Sequence, residues 1–150
     1  PLLESCKLLA KQLDIQNHVV FLGYRDDLEK IVPLCDVAVS SSLREGLPVN
    51  ILEGMACGLP IVALENRGHR ELVMNHKNGW LIPSDKVETF ASKLVTLANH
   101  EDVRLKMGLK SLEMVGMYRV AKVKQELLAI YENSLAEKSW KEKGTVRSFL

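Results

Sequence analysis

The sequence predicts an α/β fold: a doubly wound parallel sheet, truncated at its N-terminus and followed by C-terminal helices. Three observations predict it. Short apolar runs alternate with helical patterns through the first half of the chain. Those runs lack polar alternation, which calls for cover on both faces of the sheet. From Lys86 onward helical patterns dominate.

Residues 2–13 carry apolar side chains at 2, 3, 6, 8, 9, 10 and 13, with Lys7, Lys11 and Gln12 between them, the spacing of an amphipathic helix. The run 18–22 is apolar and β-rich and ends at Gly23, so it reads as a buried strand. Asp26 and Asp27 precede a short helix over 28–32, where acids suit the N-terminal dipole. A second strand covers 36–42 and runs out into serines. Pro48 opens a helix over 48–57, and Gly58 stands where a left-handed residue would end it. A third strand follows over 60–64, then a turn over 65–68, a short helix over 69–74 and a fourth strand over 80–82. Helices over 87–99, 103–118 and 120–137 complete the pattern, and residues 138–150 read as a polar, frayed tail. The chain divides into a domain over 1–137 and this tail. Four strands are fewer than a nucleotide-binding sheet of this type usually has, and the chain starts on a helix. The first strands are therefore expected upstream, in a larger protein.

Bulk properties exclude several classes. With 150 residues the chain is one domain by size, and 47% hydrophobic content suits a globular protein. Net charge is +1 without a basic cluster, so no nucleic-acid partner is expected. No apolar run is long enough to span a membrane, and no signal peptide opens the chain, which points to the cytoplasm. Three cysteines, Cys6, Cys35 and Cys57, lie far apart, and Cys35 and Cys57 read as buried, reduced thiols. The four histidines have neither mutual nor cysteine spacing for a metal, so no metal site is expected.

The chemistry centres on Glu45-Gly-Leu-Pro-Val-Asn-Ile-Leu-Glu53. Glu45 lies in a loop just ahead of the helix. Glu53 lies inside it, close to Val49 and Ala56 on or beside the apolar stripe. A carboxylate buried there costs free energy unless something pairs with it or binds it. Loop N–H groups at a helix start favour phosphate, and carboxylates accept hydrogen bonds from sugar hydroxyls. Gly46 allows close backbone approach, and Pro48 holds Leu47 extended. The corner suits a nucleotide sugar. Spacing alone leaves another reading open, in which Glu53 pairs with an arginine or caps a neighbouring helix and Glu45 is an ordinary acid at a helix start.

These residues resemble the C-terminal, donor-binding domain of retaining glycosyltransferases with the GT-B fold, whose mark is Glu-x7-Glu. Other blocks agree in order: Val19-Val-Phe-Leu-Gly-Tyr-Arg25, Asp36-Val-Ala-Val-Ser-Ser-Ser42, Glu53-Gly-Met-Ala-Cys-Gly-Leu-Pro-Ile-Val-Ala63, Gly68-His-Arg-Glu-Leu-Val73 and Asn78-Gly-Trp-Leu-Ile82 with Pro83-Ser-Asp85. The resemblance spans roughly residues 1–135, and the Arg67-Gly-His-Arg-Glu71 variant resembles capsule and exopolysaccharide enzymes.

The resemblance implies a Rossmann-like half of a GT-B enzyme. Glu45 would be the catalytic residue meeting the transferred sugar. The amides of Gly46 and Leu47, with the Pro48 helix start, would face the sugar and distal phosphate. Glu53 would hold the ribose, and Tyr24 and Arg25 would lie near the base. The donor would be a nucleotide-diphosphate sugar, UDP favoured over GDP, with no cofactor or metal. The acceptor would be a glycan or lipid-linked glycan bound through an N-terminal domain absent here, and the parent enzyme would associate peripherally with a membrane. The family's leaving-group Arg and Lys have no match in this chain, so the chain alone is expected to be inactive. An open sheet edge would let it pair with itself.

Two alternatives stand beside this reading, a nucleotide-sugar epimerase-like domain and a non-catalytic doubly wound regulatory module. Among the remaining residues, Trp80 is expected in the core, His69 in a structural role at a helix start, and Glu71 tying down its own loop. Lys106, Lys110, Lys122 and Lys124 are expected on solvated helix faces.

Overall fold

A computed structural model describes the backbone of residues 2–145 and the side chains through residue 135. Residues 1–31 and the chain from Val32 onward form two compact units.

In the first unit, α1 (Leu3–Gln12) buries only Ala10, and α2 (Leu28–Ile31) buries nothing. The run 18–22 is irregular, not the strand its composition predicts. Val20 is 80% exposed and Leu22 52%. A strand exists only by pairing, and this run makes no ladder hydrogen bonds.

The second unit holds a parallel sheet of β1 (Ala38–Ser40), β2 (Ile61–Leu64) and β3 (Gly79–Ile82), in that order. Among the described residues the sheet thus has three strands where the sequence suggests four. Ala38 pairs with Ile61, and Ile61 with Gly79. Parallel neighbours need a crossover, and α3 (Val49–Ala56) and α4 (Arg67–Leu72) provide the two here.

β2 shows why the unit holds together. Ile61 and Ala63 face a cluster with Ile51 and Met55 of α3, Leu72 of α4 and Val73 just after it. Val62, between them, faces a second cluster with Trp80, Ile82, Leu97 and Met107. Side chains alternate across a strand, so each face of the sheet has its own core. Ile61, Val62 and Ala63 are fully buried, and each large aliphatic side chain contributes about 1.5–3 kcal/mol. Trp80 is a core residue, as expected, with Lys93 Nζ over its ring at 5.2 Å.

On the second face lies α5 (Val87–Asn99), which spans the predicted residues one for one. Arg104 donates to the carbonyls of Leu97 and Ala98 and so satisfies its C-terminal end. α6 (Glu101–Val115) starts two residues before the predicted 103 and passes through a 3₁₀ turn (Gly116–Tyr118) into α7 (Val120–Thr145). α7 continues past residue 137, where the sequence reading ends the last helix. Residues 146–150 of the predicted tail lie outside the described residues.

Candidate functional site

Doubly wound sheets bind ligands outside the carboxyl ends of their strands, and the site grows from β1. After Ser40 the chain runs through an irregular loop to Pro48. Pro48 is the residue flanking α3, with φ −73° and ψ 106°, and Val49 is the first helical residue. The proline therefore stands one place earlier than predicted. Gly58 ends the corner as expected, left-handed at φ +71°.

Glu45 is half-buried, and its carboxylate has no hydrogen bond or ion pair among the described residues. The backbone N–H groups of Gly46, Leu47 and Val49 also donate to no described residue. Gly46 needs no left-handed backbone, and a Cβ there would meet nothing within 4 Å. The fold itself does not require glycine at 46.

Glu53 departs from expectation. Like Glu45 it is half-buried rather than enclosed, so solvent relieves part of the burial cost expected from its apolar neighbours. It also has no hydrogen bond or ion pair among the described residues, which removes the reading that an arginine holds it. Glu53 lines a cavity of about 600 Å³ with Leu52, Ala56, Val115, Tyr118 and Arg119. Glu45 is not among that cavity's lining residues. The two carboxylates therefore present different surroundings, a loop for one and a cavity wall for the other.

Tyr24 and Arg25 belong to the first unit. Tyr24 is 95% exposed. Arg25 forms a two-point pair with Asp27, at 2.8 Å from Nε and 2.7 Å from Nη2.

Other expectations need correction. Cys6 and Cys35 are exposed and Cys57 half-buried, so Cys35 and Cys57 are not the core thiols their neighbours suggest. Burial still pushes the Cys57 thiol above its ordinary pKa, with Cys35 and Glu53 adding to the rise. Glu71 is exposed and accepts no hydrogen bond from described residues, so it does not tie down its loop. His69 has the structural role expected of it and is fully buried, but the helix begins earlier, at Arg67. Asn66 is the residue that sequence reasoning missed. It sits inside the predicted turn 65–68, yet its side chain accepts from the His69 N–H and caps α4. An Asn three places before the residue whose N–H it binds is the available signal. Lys106, Lys122 and Lys124 are exposed as expected, while Lys110 is partly buried and pairs with Glu113 at 2.5 Å. Among the described residues, no helix is long and apolar enough to cross a membrane.

The fold and site define a doubly wound α/β domain with an unengaged carboxylate loop at the end of its first strand, the class of domain that binds ligands at strand ends. Residues 1–113 match the family model of glycosyl transferases group 1, and the chain belongs to that family. The EpsD protein of Bacillus subtilis, named as a glycosyltransferase, is 37% identical over 123 residues, covering 82% of this chain and 32% of EpsD. An Escherichia coli enzyme named UDP-Gal:alpha-D-GlcNAc-diphosphoundecaprenol alpha-1,3-galactosyltransferase is 26% identical over 126 residues, covering 84% of this chain and 33% of its own. The crystal structure of a mutant of Staphylococcus aureus TarM in complex with fondaparinux, alpha-GlcNAc-glycerol and UDP superposes with a TM-score of 0.80. The identity there is 22%, over 87% of this chain and 27% of TarM. The chain thus spans about a third of the length of the curated relatives it matches. Its fold is that of the C-terminal domain of GT-B glycosyltransferases. Family membership decides against the epimerase reading.

Proposed function

We propose that this chain forms the donor-binding part of a retaining glycosyltransferase that uses a nucleotide-diphosphate sugar, UDP favoured. One observation carries the reading. The Glu45 loop offers an unengaged carboxylate, unengaged amides at Gly46, Leu47 and Val49, and a glycine at 46 that the fold does not demand. Such groups suit a ligand with hydroxyls on one side and phosphate on the other.

In this reading Glu45 receives hydroxyls of the transferred sugar. The amides of Gly46 and Leu47 and the start of α3 face the sugar and distal phosphate. Glu53 receives the ribose hydroxyls beside its cavity. The acceptor hydroxyl attacks the anomeric carbon from the face the diphosphate leaves. The new carbon–oxygen bond forms as the bond to phosphate breaks, and the acceptor proton passes to the leaving diphosphate. Configuration is retained, and no metal takes part. The names of the E. coli relative and of TarM's bound UDP support a UDP donor. The acceptor is a glycan or lipid-linked glycan in polysaccharide or glycolipid assembly, and the complete protein works at the cytoplasmic side of a membrane. For the chain by itself we expect no turnover, since no residue here matches the family's leaving-group cations, whose stabilisation amounts to several kcal/mol.

The test is transfer by the complete protein carrying this sequence. Glucose, galactose and N-acetylglucosamine donors, each as the UDP sugar, are followed by proton NMR of the product's anomeric signal in EDTA. Retained configuration from one UDP sugar is the expected result. Inversion, or no transfer from any nucleotide sugar, overturns the reading.

A further inference from the structure

Glu45 stands on a loop with few holdings of its own, and what fixes that loop comes from the start of α4. Asn66 is 9% exposed and uses both ends of its amide. Its Oδ1 accepts from the His69 N–H at 2.9 Å, and its Nδ2 donates to the Ser42 carbonyl at 2.8 Å. Reversing the amide would set oxygen against the Ser42 carbonyl and NH₂ against the His69 N–H, so the two bonds together fix its orientation. One of them caps a helix, and the other fastens the backbone just ahead of Glu45.

Gly68 supplies the second contact. A Cβ built there would lie 2.6 Å from the Gly46 carbonyl oxygen, 2.8 Å from the Glu45 carbonyl oxygen and 2.8 Å from Glu45 Cβ. Two of those three atoms are backbone, which cannot swing aside as a side-chain tip can. Any residue other than glycine would push the Glu45 loop outward. His69 anchors the assembly from the other side. It is fully buried, and its Nδ1 lies 2.5 Å from the Leu64 carbonyl at the end of β2. The same Nδ1 lies 2.9 Å from Asn66 Nδ2, so this one ring nitrogen, whose donor or acceptor role is set by the tautomer, ties α4 to the sheet and to the Asn66 cap.

We propose that Asn66 and Gly68 are positioning residues for Glu45, a clamp that transmits the placement of the β2–α4 corner to the carboxylate that meets the transferred sugar. The proposal rests on the assignment of Glu45 to the sugar. The clamp acts on turnover more than on nucleotide binding, because Glu53, assigned to the ribose, stands on α3 and shares neither contact. Displacing a positioned group by about 1 Å costs about 10²-fold in rate.

The experiment measures kcat with the UDP sugar that the complete protein uses and, separately, Kd for UDP, in Gly68→Ala, Asn66→Asp, Glu45→Gln and Arg70→Ala. Asp is a good helix cap but lacks the NH₂ that reaches Ser42, so Asn66→Asp keeps α4 capped while releasing the loop. Arg70 lies on the same helix, outside the clamp, in an exposed pair with Glu65 at 3.1 Å. Gly68→Ala and Asn66→Asp should each lower kcat about 10- to 100-fold with Kd for UDP within about twofold of the parent. Arg70→Ala should change neither value. In the Gly68→Ala/Glu45→Gln double variant the losses should not multiply, because both act through one carboxylate. A general folding defect would instead weaken turnover and UDP binding together. If Glu45→Gln leaves kcat intact, the assignment of Glu45 to the sugar fails. If Glu45→Gln lowers kcat while Asn66→Asp and Gly68→Ala fold and turn over like the parent, the clamp is overturned and that assignment stands. Should Gly68→Ala not fold, Asn66→Asp decides alone.

Discussion

Glu45 and Glu53 belong to one motif but are held in opposite ways. Glu53 stands inside α3, whose Ile51 and Met55 are buried in the core, so its backbone is fixed by the most stable part of the unit. Glu45 stands in an irregular loop whose position depends on a distant hydrogen bond from Asn66 and on the missing side chain of Gly68. Neither carboxylate has a hydrogen-bonding or ion-pair partner among the described residues. The lesson is that the two acids are equally available to a ligand but not equally rigid. Substitutions remote in sequence can therefore move one and leave the other in place.

The largest expected effect separates their chemistry. Glu45→Gln in the complete protein should lower kcat by about 10²–10³-fold, the loss typical of one charge-stabilising group, with UDP affinity nearly unchanged. A parallel loss of UDP binding would merge the two roles. Next comes Glu53→Gln. A hydrogen bond to a charged group contributes about 1.5–3 kcal/mol, so Kd for UDP measured by calorimetry should rise about 10- to 100-fold. Smaller still is the effect on folding. Because neither acid bonds to the described protein, either variant should stay within about 0.5 kcal/mol of the parent in urea unfolding. A larger loss would reveal a structural partner for that carboxylate.

The smallest effect concerns Cys57, next to Glu53's turn of helix. Its raised pKa keeps the thiol protonated, and half-burial limits access. At pH 8, iodoacetamide should modify exposed Cys6 and Cys35 before Cys57, as read by peptide mass spectrometry. The sign for stability follows: a thiol whose folded pKa is raised stabilises the fold below its unfolded pKa and loses that contribution as pH climbs through the folded value. Glu53→Gln removes one cause of the rise and should speed Cys57 labelling slightly.

Much of this was legible in the sequence, for local reasons. The runs 60–64 and 80–82 are apolar on both sides of the strand and became β2 and β3, while Val87–Asn99 has a clear helical period and became α5. The run 18–22 has the same apolar, β-rich composition as 60–64, yet it is irregular. Composition reports what a strand would bury, not whether a neighbour pairs with it. Glu45 and Glu53 stand out in the sequence by their spacing and by the proline and glycines around them, which is what makes them candidates. Glu53's partial exposure was not legible, because Val49 and Ala56 beside it are themselves exposed, while Ile51 and Met55 are the α3 side chains that turn to the core. Asn66 was hidden because its second bond joins it to Ser42, a contact between residues remote in sequence that no local pattern encodes.

The division of labour between the two acids is tested most directly by comparing UDP with 2′-deoxy-UDP. Calorimetric titration of the complete protein should show UDP binding about tenfold tighter than the deoxy compound, the difference of one hydrogen bond to a charged group. In Glu53→Gln that preference should fall toward one, while Glu45→Gln should keep it. A preference that survives in Glu53→Gln, or vanishes in Glu45→Gln, would contradict the assignment of Glu53 to the ribose and Glu45 to the sugar.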